Sequence, residues 1–181
     1  MKHWQLFVLL IGIPVLYQIF SVGLIFTIDT SFDDVRHNFP IIMALFAGSF
    51  VIWIYALGTG LHKKLPANAV MNLTMFKSLL LFYCAYVTLI TLFVTYAMSG
   101  VTPQPMIFAL IIPCHLFAMF CGIYSIYFNA KALKSVELQR PVVFGDFAGE
   151  FFLFWFYPIG IWILQPRINQ LFNESPSALP E

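Results

Sequence analysis

Apolar residues in this chain come in long blocks separated by short polar gaps, with neither the strict alternation of a half-buried strand nor the narrow stripe of a water-soluble helix. Residues 6–28, 40–61, 78–98 and 106–127 are each about 20 or more predominantly apolar positions long. That is the length a helix rising ~1.5 Å per residue needs to cross a ~30 Å hydrocarbon layer. From Ser78 to Ala130 the chain runs 53 residues without Asp, Glu, Lys or Arg. A charge at mid-bilayer costs about 2.5 to 3.5 kcal/mol, so a charge-free stretch of that length marks lipid as its solvent. Backbone groups in lipid must be satisfied within their own segment, and the blocks lack the alternation of barrel strands. The expected fold is all-α: a four-transmembrane-helix bundle.

A fifth apolar run, Phe151 to Leu164, has 14 residues and carries Pro158 and Gly160 near its midpoint. At ~21 Å as a helix it is short for a crossing, and runs of this length are commonly re-entrant or interfacial. Its crowd of Phe with Trp155, Tyr157 and Trp162 suits headgroup depth. A membrane-embedded segment over about residues 144–164 is therefore expected to double back. The alternative extends the helix to Val142, giving 23 residues and a true crossing that takes Asp146 and Glu150 into the membrane. The two forms differ on one pair. A chain that doubles back returns Arg167 to neutralise Glu150 or Asp146, whereas a spanning helix holds Glu150 and Arg167 ~25 Å apart.

The polar gaps set the orientation. Lys2, then His62-Lys63-Lys64 with Lys77, then Lys131, Lys134 and Arg140 against Glu137 occupy alternate gaps; Asp29, Asp33 and Asp34 with Arg36, and the uncharged residues 99–105, occupy the others. Basic gaps belong to the cytoplasm, which predicts a cytoplasmic N-terminus and, if residues 144–164 double back, a cytoplasmic C-terminus. The 23-residue opening run is long for a signal peptide and has no small-x-small site after it, so it is read as a retained first span. Residues 129–140 are rich in strong helix formers and end at Pro141, which predicts that the fourth span continues beyond the membrane with Leu133, Val136 and Leu138 against the bilayer surface. Residues 1–172 form one membrane domain on this reading, with a frayed tail over 173–181.

Composition narrows the function. With 61% hydrophobic and 9% charged residues, a net charge of +1 and a mean hydropathy of +0.87, the chain has neither a soluble core nor a nucleic-acid footprint. Its three cysteines, Cys84, Cys114 and Cys121, lie inside apolar runs without C-x-x-C spacing, which suggests neither a disulfide framework nor a zinc site. His115 is the one ionisable residue expected well inside a span. As a proton carrier or haem or metal ligand it lacks a partner at its depth, so a neutral imidazole hydrogen-bonded across helices is the expected state, and no cofactor is expected. Gln18 is expected to act likewise as interhelical glue. Asp146 and Glu150 share a helix face at i, i+4 and would mark either the water-facing start of a membrane helix or a proton or cation site. Pro14 and Pro113 are expected to kink their helices.

Small residues carry the packing signal. Ala44, Gly48, Ala56 and Gly60 share a row of the second span; Cys114, Ala118 and Gly122, followed by Ser125, share one of the fourth. Such rows let helix backbones approach, within a chain or across a homodimer. No Walker loop, G-x-S-x-G elbow or H-E-x-x-H occurs, so no enzyme is expected, and Asn72-Leu-Thr74 falls on the cytoplasmic side where a glycosylation sequon is accidental.

The stretch Lys131-Ala-Leu-Lys-Ser-Val-Glu-Leu-Gln-Arg140, with Gly149-Glu-Phe-Phe-Leu-Phe-Trp-Phe-Tyr-Pro-Ile-Gly-Ile-Trp-Ile-Leu-Gln-Pro-Arg-Ile-Asn169, resembles the C-terminal part of small multi-span membrane proteins of the Bacteroidota. The resemblance brings no activity, cofactor or catalytic position; it implies a bacterial inner membrane. The function these readings favour is a small accessory, scaffold or regulatory subunit that packs with itself or with a larger membrane complex. The alternative is a small transporter or channel whose polar path runs near Gln18 and His115.

Overall fold

The computed structural model describes residues 2–27 and 32–173, and every element among them is helical. Asp29, the side chains of Asp33 and Asp34, and the tail from residue 174 lie outside the described residues. Four helices are long and apolar enough to cross a membrane: His3–Gly23, Arg36–His62, Leu73–Ala97 and Pro105–Leu138, hereafter the first to fourth spans. This is a multi-pass membrane protein.

The span boundaries follow local chemistry. Asn72 precedes the third span in extended conformation, and its side chain accepts from the Met75 N–H at 2.9 Å, satisfying one of the donors that a helix start leaves free. Pro105 opens the fourth span, where its missing N–H costs nothing. Gln139 closes it in the left-handed conformation (φ 51°), its amide donating to the Val136 carbonyl at 2.6 Å. π-helical turns occupy Val8–Gly12, next to Pro14, and Ala44–Gly48, four residues beyond Pro40. Proline removes a rung from the i to i−4 ladder, and a wider turn beside it re-registers the chain. Pro113 lies inside an uninterrupted α-helix.

At 34 residues the fourth span is ~51 Å long, so its last turns outrun a ~30 Å hydrocarbon layer. This extension was expected to lie on the bilayer surface. Instead Leu133 is 0% and Val136 4% exposed, and only Leu138 faces outward. The apolar C-terminal segment folds back over this face and buries it.

That segment is two helices, Phe144–Trp155 and Tyr157–Asn173, separated at Phe156 (φ −94°, ψ 52°). The arms pack against each other, the first also along the fourth span. They close so tightly at the turn that a Cβ on Gly160 would lie 1.8 Å from the Leu153 carbonyl oxygen. Only glycine fits there. The tip reaches Phe50 and Trp53 of the second span, with Phe50–Tyr157 and Trp53–Phe154 ring centroids at 5.0 and 5.6 Å. Phe50 lies 12 residues, or ~18 Å, from the His62 end of the second span.

The second arm gathers the rest of the chain. Trp162 packs on His3 and Phe7 at 5.1 and 5.4 Å, and Lys64 Nζ donates to the Leu171 carbonyl at 2.7 Å while lying over the Phe172 ring. Large buried side chains line the hairpin from Phe147 to Phe154 and Leu164 and the faces of the third and fourth spans at Phe76 and Phe128.

Candidate functional site

Beneath the hairpin four charged side chains from three helices form one network. Lys134 and Glu137 stand one turn apart on the fourth span, Glu150 comes from the first arm and Arg167 from the second. Arg167 grips Glu137 with two bonds, Nε to Oε1 at 2.8 Å and Nη2 to Oε2 at 2.6 Å, and Nη2 also donates to Glu150 Oε1 at 2.7 Å. Lys134 Nζ donates to the same Glu150 oxygen at 3.0 Å and lies 3.7 Å from Glu137. Two cations face two anions, so the network is neutral. Glu150 has a side chain only 8% exposed, against 18% for Glu137, 22% for Lys134 and 32% for Arg167.

Burial pushes the Glu150 carboxyl up, but its bonds from Arg167 and Lys134 outweigh that and hold it below the ordinary glutamate value. Arg167 moves the other way: Glu137 raises it most, burial opposes, and Glu150 adds to the rise. Asp146 does not join them. Its carboxylate accepts the Val143 N–H at 3.0 Å, closing the start of the first arm, and meets Arg140 at 3.3 Å; the backbone bond first and Arg140 second keep it below the usual aspartate value. The Arg167–Glu150 pair is thus the one that a doubled-back chain would make. Lys134 and Glu137 share one face of the expected 129–140 extension by their i, i+3 spacing; the return of Arg167 to that face is what spacing does not show.

The other candidates lie elsewhere. His115 Nδ1 is 2.8 Å from the Tyr86 hydroxyl, joining the fourth span to the third on an exposed face. Gln18 is exposed on the first span, where the tie to the second is made by Tyr17 donating to Asn38 Oδ1 at 2.8 Å. A cavity of about 410 Å³ above the hairpin tip is walled by Met43, Phe50, Tyr83, Met119 and Trp155, and a second of about 320 Å³ lies between the second and third spans. Neither His115 nor Gln18 lines either of them.

Of the small residues, Ala118 is buried, and a Cβ on Gly122 would touch Tyr83 at 3.3 Å. Ala44 and Ala56 are exposed, Gly48 has nothing within 4 Å of its Cβ position, and Gly60 faces the Phe172 ring at 2.9 Å. The closest approach on the second span is at Gly58, where a Cβ would meet Phe76 at 2.6 Å. Beside it Asn129 donates to the Ile54 carbonyl at 3.3 Å, fixing the fourth span to the second. Gly58 is out of step with the row read from the sequence, and its partner ring lies on another span, so spacing alone does not reveal it.

In comparisons with known proteins no family model matches the chain, and no curated protein or solved structure matches it.

Proposed function

We propose that this is a bacterial inner-membrane protein of non-enzymatic role, an accessory, scaffold or regulatory subunit that works through helix packing. The observation that carries the reading is how the polar groups are used. The strongest polar cluster neutralises itself in bolting the hairpin to the fourth span, and His115 and Gln18 stand apart from it and from both cavities. A transport path needs polar groups from several helices converging at mid-depth. Reconstituted in proteoliposomes, the wild type is expected to pass protons and alkali cations no faster than empty vesicles. A flux that His115→Ala abolishes would replace this reading with the transporter.

The hairpin is re-entrant on this reading, entering from and returning to the cytoplasmic side, which also holds both ends of the described chain. Support comes from the exposed apolar tip, Trp155, Phe156 and Ile159, at the level of Phe50, where lipid is the fitting solvent. A cysteine introduced at Gln170 is expected to react with an impermeant maleimide only from the cytoplasmic side; labelling only from outside would eliminate the doubled-back topology.

A further inference from the structure

Tyr86 and His115 form a polar pair at the wrong place for an isolated bundle. His115 lies ten residues inside the Pro105 end of its helix and Tyr86 eleven from Ala97, each ~15 Å deep and so near the middle of the hydrocarbon. His115 is exposed and Tyr86 half-buried. The third and fourth spans are also the least covered by the rest of the chain, with 6% and 11% of their most apolar 18 residues buried against 22% for the first and second. Apolar exposure needs no explanation in lipid; polar exposure does.

The pair has a specific residual valence. An uncharged imidazole has one donor and one acceptor, as does a phenol in the simplest count, and their mutual bond at 2.8 Å uses one of each. If Tyr86 donates to Nδ1, the Nε2–H and the Tyr86 oxygen remain. If Nδ1–H donates, the Tyr86 O–H and Nε2 remain. Either tautomer leaves one donor and one acceptor side by side at one depth. A two-fold axis along the membrane normal brings the same patch of a second copy to that depth, so each donor meets the other copy's acceptor.

We propose that the third and fourth spans form a symmetric homodimer face in which the Tyr86–His115 pairs of two copies satisfy each other. Phe82 and Leu89, one turn either side of Tyr86, and Ile112, one turn from His115, are exposed around it and supply the apolar contact. The proposal rests on the packing-subunit reading and names its partner as a second copy of this chain.

The test is subunit counting by single-molecule photobleaching of the full chain in vesicles over a series of protein-to-lipid ratios. It is combined with disulfide trapping of Leu89→Cys and Ile112→Cys, each in a background with the native cysteines replaced by alanine. Dimers are expected, trapped through Leu89→Cys or Ile112→Cys and not through the first-span control Leu16→Cys. Tyr86→Phe and His115→Leu, at unchanged helicity and melting temperature, are expected to weaken dimerisation by about tenfold each. A wild type that stays monomeric throughout the series, or dimers trapped through Leu16→Cys alone, would overturn the proposal, as would two well-folded variants that dimerise like wild type. Should His115→Leu misfold, Tyr86→Phe and the trapping pattern still decide. Ion flux in the same vesicles is scored separately: a silent monomer rejects the dimer alone, and a conducting protein rejects the packing-subunit reading.

Discussion

Glu150 shows at the scale of one residue what the ion network is for. A carboxylate this buried is tolerable only while both cations stay on it, since removing one partner of a buried pair strands the other charge. Glu150→Gln is expected to destabilise the detergent-solubilised protein by about 3 kcal/mol, the lower end for such pairs because Arg167 keeps some contact with water. The linkage sign follows from the direction of the shift. A glutamate held below its ordinary value of 4.5 contributes in full above that value, and the contribution fades as pH falls through the lower folded value. The melting temperature should therefore be level above about pH 5 and decline below it. Glu150→Gln should shrink that decline, and Asp146→Asn, whose carboxyl is also held low, should remove a further part. A melting curve series that declines equally in wild type and Glu150→Gln would show that other carboxylates set the acid limit. Part of this site was legible beforehand, because Arg167 and Glu150 are the charges a doubled-back segment brings to one level. The bidentate grip on Glu137 was not, since it depends on how the second arm rotates against the fourth span.

At the scale of the element, the hairpin depends on one close approach. The carbonyl that meets Gly160 is backbone, so no rotamer change can relieve the 1.8 Å clash of an added methyl; the arms must part. Gly160→Ala is expected to cost at least the ~1 to 3 kcal/mol of ordinary overpacking and to free Arg167, read as increased protease sensitivity of the second arm. Gly145→Ala, with open space around its Cβ, is the matching control and should leave the hairpin closed. Pattern alone located this break nearly but not fully. Pro158 and Gly160 announced an interruption, yet the chain turns at Phe156 and Pro158 becomes the second residue of the new helix, where a missing N–H leaves nothing unsatisfied. The spans were more legible because length and lack of charge suffice to define them. Their ends were less so: the apolar run at Ser78 leaves open a helical extension anywhere over residues 66–77, and the cap from Asn72 sets the actual start at Leu73.

For the whole molecule the asymmetry of packing matters most. Apart from Leu10 and Pro14 of the first span, the large fully buried side chains lie on the hairpin and on the halves of the second, third and fourth spans beside it, whereas the far half of the fourth span exposes Leu110, Ile112 and Leu116. Helices in lipid gain no hydrophobic drive from touching, so a half-bundle surrounded by lipid can stay loosely packed. The end near the headgroups must bury Leu133 and Val136 against protein, because the fourth span there has outrun the hydrocarbon. Hydropathy could not distinguish these ends, since it scores apolar side chains alike whether lipid or protein receives them. Equal truncations should therefore have unequal effects. Leu133→Ala leaves a cavity in a filled core and is expected to cost about 2 to 5 kcal/mol, while Leu110→Ala, 70% exposed, should stay within about 0.5 kcal/mol of wild type. Reversible unfolding in mixed micelles measures both. Equal losses would mean that the far half is as tightly held as the near one, and that stability in this fold is spread along the spans rather than gathered under the hairpin.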